Sequence, residues 1–402
     1  MESNIDENLD LIVQLRKKLH SIPEKSMHEV QTKQTLMDFI GKCTHTLEIV
    51  DRGAWFYVAK RRSIKTDDSI IGVTESDAAK PVDVDFDDAD ADVLKPGETD
   101  PEPIAFRADM DALTCTDGQP RHLCGHDGHS AILAGLALWL DNADIKRDVY
   151  LIFQPGEETG EGGAICSTLI DEKNIGEIYG IHNIPGYEAG TVLLLEETFA
   201  CASTGLEIRF TGRQTHAAYP ETGVNPASAI ARVIQCMDAA IHEKHRGIVL
   251  GTVIGIEAGS RSYGVSAGEG TLRLTLRAQY QDEYDAFVAG IEDVAVKAAK
   301  DSGLTVAISR IEEFPATINH RECVLKVRDA ARSLGMSCEY PREPFRWSED
   351  FGYYLQKTRG AFIGIGCGKS HPALHTMEYE FEDGIIGAVI ELYKRIIDQK
   401  QG

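Results

Sequence analysis

Nowhere in its 402 residues does the chain approach the roughly 18 to 20 uninterrupted apolar residues that a membrane-crossing helix requires. Its start, Met1-Glu2-Ser3-Asn4-Ile5-Asp6, lacks the basic and apolar stretches of an export signal. A soluble chain of the cytoplasm is therefore the expectation. Basic charge is also scarce. Forty-one lysines and arginines stand against 64 acidic residues, and the net −23 repels phosphate backbones and anionic lipid, so neither nucleic acid nor a membrane is expected as a partner. Paired cysteine spacing is missing too. The nine cysteines are odd in number and scattered, which fits reduced thiols rather than a secreted disulfide framework. A cysteine with a function should then show it through its neighbours.

What is present points to a globular chain of two domains, since 402 residues exceed the usual size of one. From Asn8 to about Lys42, Leu11, Leu15, Leu19 and Ile22 recur at helical spacing, with Pro23 as an interruption. Ser63 to Glu102 carries thirteen acidic residues against three lysines, ten of the net −23. Asp83, Asp85 and Asp87 resemble the start of a calcium loop. Position six from Asp83 is Asp88 rather than Gly and position twelve is Leu94 rather than Glu, so an EF-hand is rejected. Because Val82, Val84 and Phe86 alternate with those aspartates, an exposed edge strand or solvated insertion is expected there.

Short apolar runs follow at Ile104 to Arg107, Val149 to Phe153, Ile178 to Ile181 and Ala361 to Ile365, with helical stretches such as Ser130 to Leu140 between them. That alternation predicts an α/β fold with a largely parallel sheet. Between 203 and 313 the texture changes. Strand-like Leu206 to Phe210, a helix from Asn225 to Ala240, strands near Ile248 to Ile256 and Thr271 to Gln279, and a helix from Tyr284 to Asp301 suggest a smaller α+β domain inserted into the first, which then comprises 1–202 and 314–402.

The densest chemical cluster is Cys124-Gly125-His126-Asp127-Gly128-His129. A thiolate and an imidazole two residues apart can converge on zinc, manganese or a similar ion, although a glycine-rich turn opening a helix explains both glycines without a metal. Other ligand-type residues fall at the ends of the expected strands: Asp109 and Asp111, Glu157 and Glu158, His182, and His375 beyond the last. In open α/β sheets the C-terminal strand edge is where ligands bind, so one shared crevice is the economical expectation. Adjacent glutamates after the turn Gln154-Pro155-Gly156 point in different directions, so one can hold metal while the other faces substrate and moves a proton. His216, in Thr211 to Ala218, reads by itself as a surface histidine. His242-Glu243-Lys244-His245 fails the HExxH spacing, and the glycine-rich stretches at Gly160 to Gly163 and Gly364 to Gly368 lack the P-loop ending.

Taken in order, Leu15 to Glu29, Phe106 to Leu113 (FRADMDAL), Cys124 to Ala131 (CGHDGHSA), Ile152 to Glu158 (IFQPGEE), Gly180 to Pro185 (GIHNIP), Thr215 to Pro220 (THAAYP), Ser348 to Phe351 (SEDF) and Leu374-His375 resemble the M20 family of metallopeptidases and aminoacylases. The resemblance is to its branch of N-acyl-amino-acid, indole-acetyl-amino-acid and aminobenzoyl-glutamate hydrolases. It implies a parallel-sheet catalytic domain with helices on both faces and a lid or dimerisation domain at 203–313. It also implies two divalent ions (Zn, Mn, Co or Ni) on Cys124, His126, Glu158, His182 and His375, with Glu157 as general base and then general acid. His216 is implied to reach the site from the lid, in many relatives across a homodimer interface, and to stabilise the oxyanion. Asp109 and Asp111 stand where relatives keep supporting carboxylates, with plain loop structure as the other option. The implied substrate is a small N-acyl amino acid; a dipeptide or aminobenzoyl-glutamate-type substrate is the alternative, and a non-catalytic metal-binding homologue a third possibility. Three features depart from the family: a short Leu113 to Cys124 stretch, Arg261 to Ala267 (RSYGVSA) without the usual Asn-Val-Ile-Pro, and the acidic insertion.

Overall fold

The apolar spacing of the opening segment produces two helices, Ser3–His20 and Val30–Cys43, separated around Pro23, whose ring cannot continue a helix. The computed structural model describes residues 3–62 and 101–399. The acidic insertion up to residue 100, with its alternating stretch and its rejected calcium loop, lies outside the described residues.

Eight strands form the central sheet, in the order Glu48–Asp51, Phe56–Lys60, Val149–Gln154, Ile104–Asp109, Glu177–Ile184, Arg359–Gly366, Val192–Leu193 and Cys338–Glu339. Its middle is parallel: 149–154 beside 104–109, then 177–184, then 359–366. Antiparallel pairs occur towards both sides.

Period-two alternation decides which face each side chain enters. Phe106, Leu151, Phe153, Tyr179, Ile181 and Ile363 join one core with the long helices Ser3–His20, His126–Asn142, Arg321–Ser333 and Ile386–Asp398. Ala105, Tyr150, Ile152, Ile178 and Phe362 enter a second core on the opposite face, under the short helices Thr168–Lys173 and Gly352–Leu355. Because both faces are covered, these strands read as continuous apolar runs rather than alternating ones. Each fully buried Leu, Ile or Phe contributes roughly 1.5–3 kcal/mol, so the sheet is a rigid platform for what its edge carries.

A second, antiparallel sheet lies between Ala202 and Phe314, in the order Val249–Ala258, Glu269–Ala278, Ala202–Thr211 and Thr305–Phe314. Leu206 faces Leu274 and Ile208 faces Leu272 across it, and these pack with Val233, Phe287 and Ile291 of the helices Ala227–Ile241 and Gln281–Ser302 into a separate core. Among the described residues, no helix is long and apolar enough to cross a membrane.

Candidate metal centre

Each parallel strand of the main sheet ends in a polar segment, and these segments meet. Ile104–Asp109 ends on Asp109, which lies inside the strand rather than after it, and leads to Asp111. The helix His126–Asn142 begins after Gly125, whose φ of 98° is a left-handed conformation that glycine adopts without strain. A Cβ there would stand 2.3 Å from Asn183 Oδ1, so a side chain at 125 would collide with the neighbouring strand's asparagine. After Val149–Gln154 the turn at Gly156 delivers Glu157 and Glu158, held by Glu29, whose Oε1 accepts from the backbone N–H groups of Gly156 (2.8 Å) and Met27 (2.9 Å). His182 lies within Glu177–Ile184, two residues before its end. His375 comes from the irregular chain after 366, in a left-handed conformation (φ 63°), its N–H bonded to Leu123 O at 2.8 Å.

The structure brings Cys124, His126, Glu157, Glu158, His182 and His375 together. Cys124 Sγ is 3.4 Å from His182 Nε2 and 3.3 Å from His375 Nε2, which is 3.7 Å from Glu158 Oε1. His126 Nε2 is 3.8 Å from Glu157 Oε2. The ligand atoms of Cys124, His126 and His182 lie within 4.8 Å of one another, and so do those of Cys124, Glu158 and His375, so the thiol belongs to both groups.

Hydrogen bonds leave the right nitrogens free. His126 Nδ1 donates to Asp111 Oδ1 at 3.0 Å and His182 Nδ1 donates to the carbonyl of Asn183 at 2.9 Å, which turns both Nε2 lone pairs towards the cluster. His126 Nε2 and Glu158 Oε1 are buried and have no hydrogen-bond partner among the described residues. His129, the third imidazole of the motif, has both nitrogens engaged, Nδ1 with Asp109 at 2.7 Å and Nε2 with Asn183 Oδ1 at 2.6 Å, and is not free to bind an ion.

Asp111 does more than close a loop. Its Oδ2 accepts from Ser26 Oγ (2.7 Å) and from the N–H of Glu158 (3.0 Å), so one carboxylate orients an imidazole and a glutamate at once. Asp109 accepts from His129 and from Arg107 Nη1 at 2.6 Å, and its Oδ2 is 3.8 Å from His126 Nε2.

Sequence reasoning assigned no role to the layer behind Glu157. Arg107 is fully buried and donates to Gln154 Oε1 (2.9 Å) and Asp350 Oδ1 (2.6 Å) while lying 3.0 Å from Glu349 Oε1. Asp350 accepts in addition from Gln154 Nε2 and the N–H of Gly163. The segment Ser348 to Phe351 was visible as a motif, but its partner lies 243 positions away at Arg107, and nothing local in the sequence joins them.

Six buried or nearly buried carboxyls (Asp109, Asp111, Glu157, Glu158, Glu349, Asp350) thus face Arg107 and His126 as the nearby cations. The proton affinities divide: Asp109 and Asp111, bonded to His129, Arg107 and His126, are lowered despite their burial, and the other four are raised. Burial pushes Glu158 up to about 7, Glu349 to about 8 and Asp350 to about 6, and burial together with Glu349 and Asp350 raises Glu157 well above the carboxylate range. Burial raises the Cys124 thiol, and burial keeps His182 and His375 neutral. For His126 burial works downwards, but Asp109, Cys124 and Asp111 together outweigh it and raise its proton affinity. Uncompensated acids, orphaned Nε2 and Oε1 atoms and a shared thiol are the donor set a pair of divalent cations fits.

His216 is elsewhere. It stands exposed on the two-residue strand Thr215–His216, paired with Val265–Ser266, its Nδ1 accepting from Ala218 N at 3.0 Å. It does not line the cavity of about 240 Å³ that opens onto Cys124, Glu157, Glu158, His182 and His375.

Residues 105–399 match peptidase family M20/M25/M40. The chain belongs to this family. Like its M20 relatives it is a metal-dependent amidohydrolase. It is 28% identical over 316 residues to an N-acetyldiaminopimelate deacetylase of Leuconostoc mesenteroides, covering 73% of this chain and 80% of that one. It is also 28% identical over 412 residues to an N-acetyl-L-cysteine deacetylase of Bacillus subtilis, covering 97% and 89%. Among solved structures, a dinuclear metal binding peptidase of the M20 family from Bacillus subtilis shares its fold at a TM-score of 0.72 and 21% identity, over 98% of each chain.

Proposed function

We propose that this M20 chain hydrolyses the amide bond of small N-acyl amino acids, releasing a carboxylic acid and a free amino acid, with Glu157 moving the proton. The observation that carries this is the position of Glu157. It is buried and lines the cavity; it clusters with His126 and Glu158 on one side and with Glu349 and Asp350 on the other, yet lies outside both groups that contain Cys124. Cys124, His126, Glu158, His182 and His375 would hold two divalent ions, Zn, Mn, Co or Ni, with Cys124 shared. Such ions, when bound, polarise the amide carbonyl and make a bound water acidic near neutral pH.

The chain's own groups supply the rest. Glu157, raised by burial and by Glu349 and Asp350, can take a proton from the attacking water and release it to the leaving nitrogen. Asp111 fixes the His126 ring and the Glu158 backbone, and Arg107 holds Asp109, Glu349 and Asp350 in place, so the site is organised before substrate arrives.

The unit 203–313 would act as lid and dimerisation element of a homodimer, with 1–202 and 314–402 as the catalytic part. Since His216 stands away from its own cavity, the lid of a second copy is the route by which it would reach the oxyanion. The acid-rich chain would work in the cytoplasm on small molecules, apart from nucleic acid and membranes. Metal-reconstituted protein assayed against N-acyl amino acids and dipeptides, with free amine and free acid both measured, tests this. Release of acid and one amino acid supports it; release of two amino acids from dipeptides alone points to the dipeptidase reaction, and no release from either class overturns it.

A further inference from the structure

The groups around the cavity are almost all acids and metal-type ligands, with two apolar exceptions, Trp347 and Leu374. Trp347 is partly exposed. Its ring lies 5.3 Å from that of His182, so it borders the cluster directly. Behind it the indole rests on an aromatic stack. Phe345 is at 5.0 Å, tilted by 28°, and Phe199 is at 5.9 Å and edge-on; Phe199 is fully buried and packs in turn on Phe362 at 5.3 Å.

The backbone on both sides of the indole is clamped. Phe345 N donates to Phe199 O at 2.8 Å and Cys201 N donates to Phe345 O at 3.1 Å. Arg277 Nη1, from the second sheet, donates to Arg346 O (2.9 Å) and Ser348 Oγ (2.8 Å), and Ser348 Oγ donates to Ser203 Oγ at 2.7 Å. A large flat ring that packs on Phe345 and Phe199, keeps part of its surface exposed and lines the cavity is a preorganised contact surface, since little side-chain freedom remains to be lost when something packs on it.

We infer that Trp347 is a specificity-determining residue: a planar, apolar group of the substrate, next to the amide that is cut, packs against its exposed face. The inference rests on the N-acyl amino acid hydrolysis proposed above and narrows it. The aromatic group can belong to the acyl side or to the amino acid side, and the two sources are separated by the compounds used.

The test compares N-acetyl-L-alanine, N-acetyl-L-phenylalanine and N-benzoylglycine with the metal-loaded wild-type protein, Trp347→Phe and Trp347→Ala. Trp347→Ala is expected to lower kcat/KM for at least one aromatic compound roughly 10-fold or more relative to its effect on N-acetyl-L-alanine, mainly through KM. Trp347→Phe should retain most of the preference. Whichever aromatic compound suffers shows which side of the amide meets the indole. An equal loss on all three compounds, or a gain on the aromatic ones in Trp347→Ala, overturns the inference. Tryptophan fluorescence reads contact without turnover, because the other tryptophans, Trp55 and Trp139, lie outside this cavity. Quenching by N-benzoylglycine or N-acetyl-L-phenylalanine that disappears in Trp347→Phe, without hydrolysis, would leave the wall standing and remove the hydrolase proposal. Absence of both quenching and discrimination removes the wall.

Discussion

Asp111→Asn is the most informative small change in the molecule. Asp111 is fully buried and accepts three bonds through two oxygens, from His126 Nδ1, Ser26 Oγ and the N–H of Glu158. Asparagine has the same shape but one acceptor oxygen. Its NH₂ group must face a donor whichever way it turns: the Nδ1–H of His126, or the N–H of Glu158 and the hydroxyl of Ser26. The hydroxyl can rotate; the other two cannot. One buried donor left opposite another costs about 1–3 kcal/mol. If the clash is relieved by turning His126 or moving Glu158, that cost appears in metal binding as about 5- to 150-fold weaker affinity. The range agrees with the 10- to 100-fold typical when a partner of a metal-bound histidine is lost. Competition with a chromophoric chelator measures it, and the melting temperature of the metal-free protein separates a binding loss from general destabilisation. Unchanged metal affinity together with unchanged kcat/KM in Asp111→Asn would refute the orienting role.

Three further changes follow from the same geometry. Cys124→Ser should weaken both ions, because Cys124 belongs to both ligand groups, and elemental analysis should find less than half the wild-type metal after dialysis; full retention would remove the thiol from the ligand set. Gly125→Ala combines a φ of 98° with a Cβ 2.3 Å from Asn183 Oδ1, so denaturant unfolding should show a loss of about 1–3 kcal/mol from backbone strain, more if Asn183 has to move. Arg107→Met leaves Asp109, Glu349 and Asp350 buried without their cation and should cost about 3–5 kcal/mol in the same assay, whereas a loss under about 1 kcal/mol would show that solvent or protons satisfy those acids already.

Much of the platform was visible in the sequence because its physics is local. Runs such as Val149 to Phe153 announce strands covered on both faces, and Gly125 and Gly128 announce the turn into a helix, which begins at His126 rather than Ser130. The ligand-type residues also announced themselves, since Cys124-Gly125-His126 and Glu157-Glu158 are unusual at strand ends. What escaped depends on contacts between distant positions. Arg107 stood at the end of an expected strand, and Glu349, Asp350 and Glu29 lay in segments noted only for their family resemblance. Their roles arise only once the chain packs Glu29 on Gly156 and Arg107 on Glu349 beside the cavity that Glu157 lines. Trp347 escaped for the same reason, because nothing in its neighbours reveals that it faces His182. His216 shows the opposite limit: its place in the chain reads as a surface histidine, as it is here, and only the family resemblance implied a role, one that its own chain's cavity does not include.

The central claim, that this cluster holds two ions while Glu157 does the proton transfer beside them, is tested most directly by metal content and turnover in Glu157→Gln. The variant should bind two ions per chain, as the wild type does, and lose hydrolysis of N-acyl amino acids by at least about 10²- to 10⁴-fold. Near-normal hydrolysis in Glu157→Gln, or a wild-type chain that takes up no ion, would contradict it.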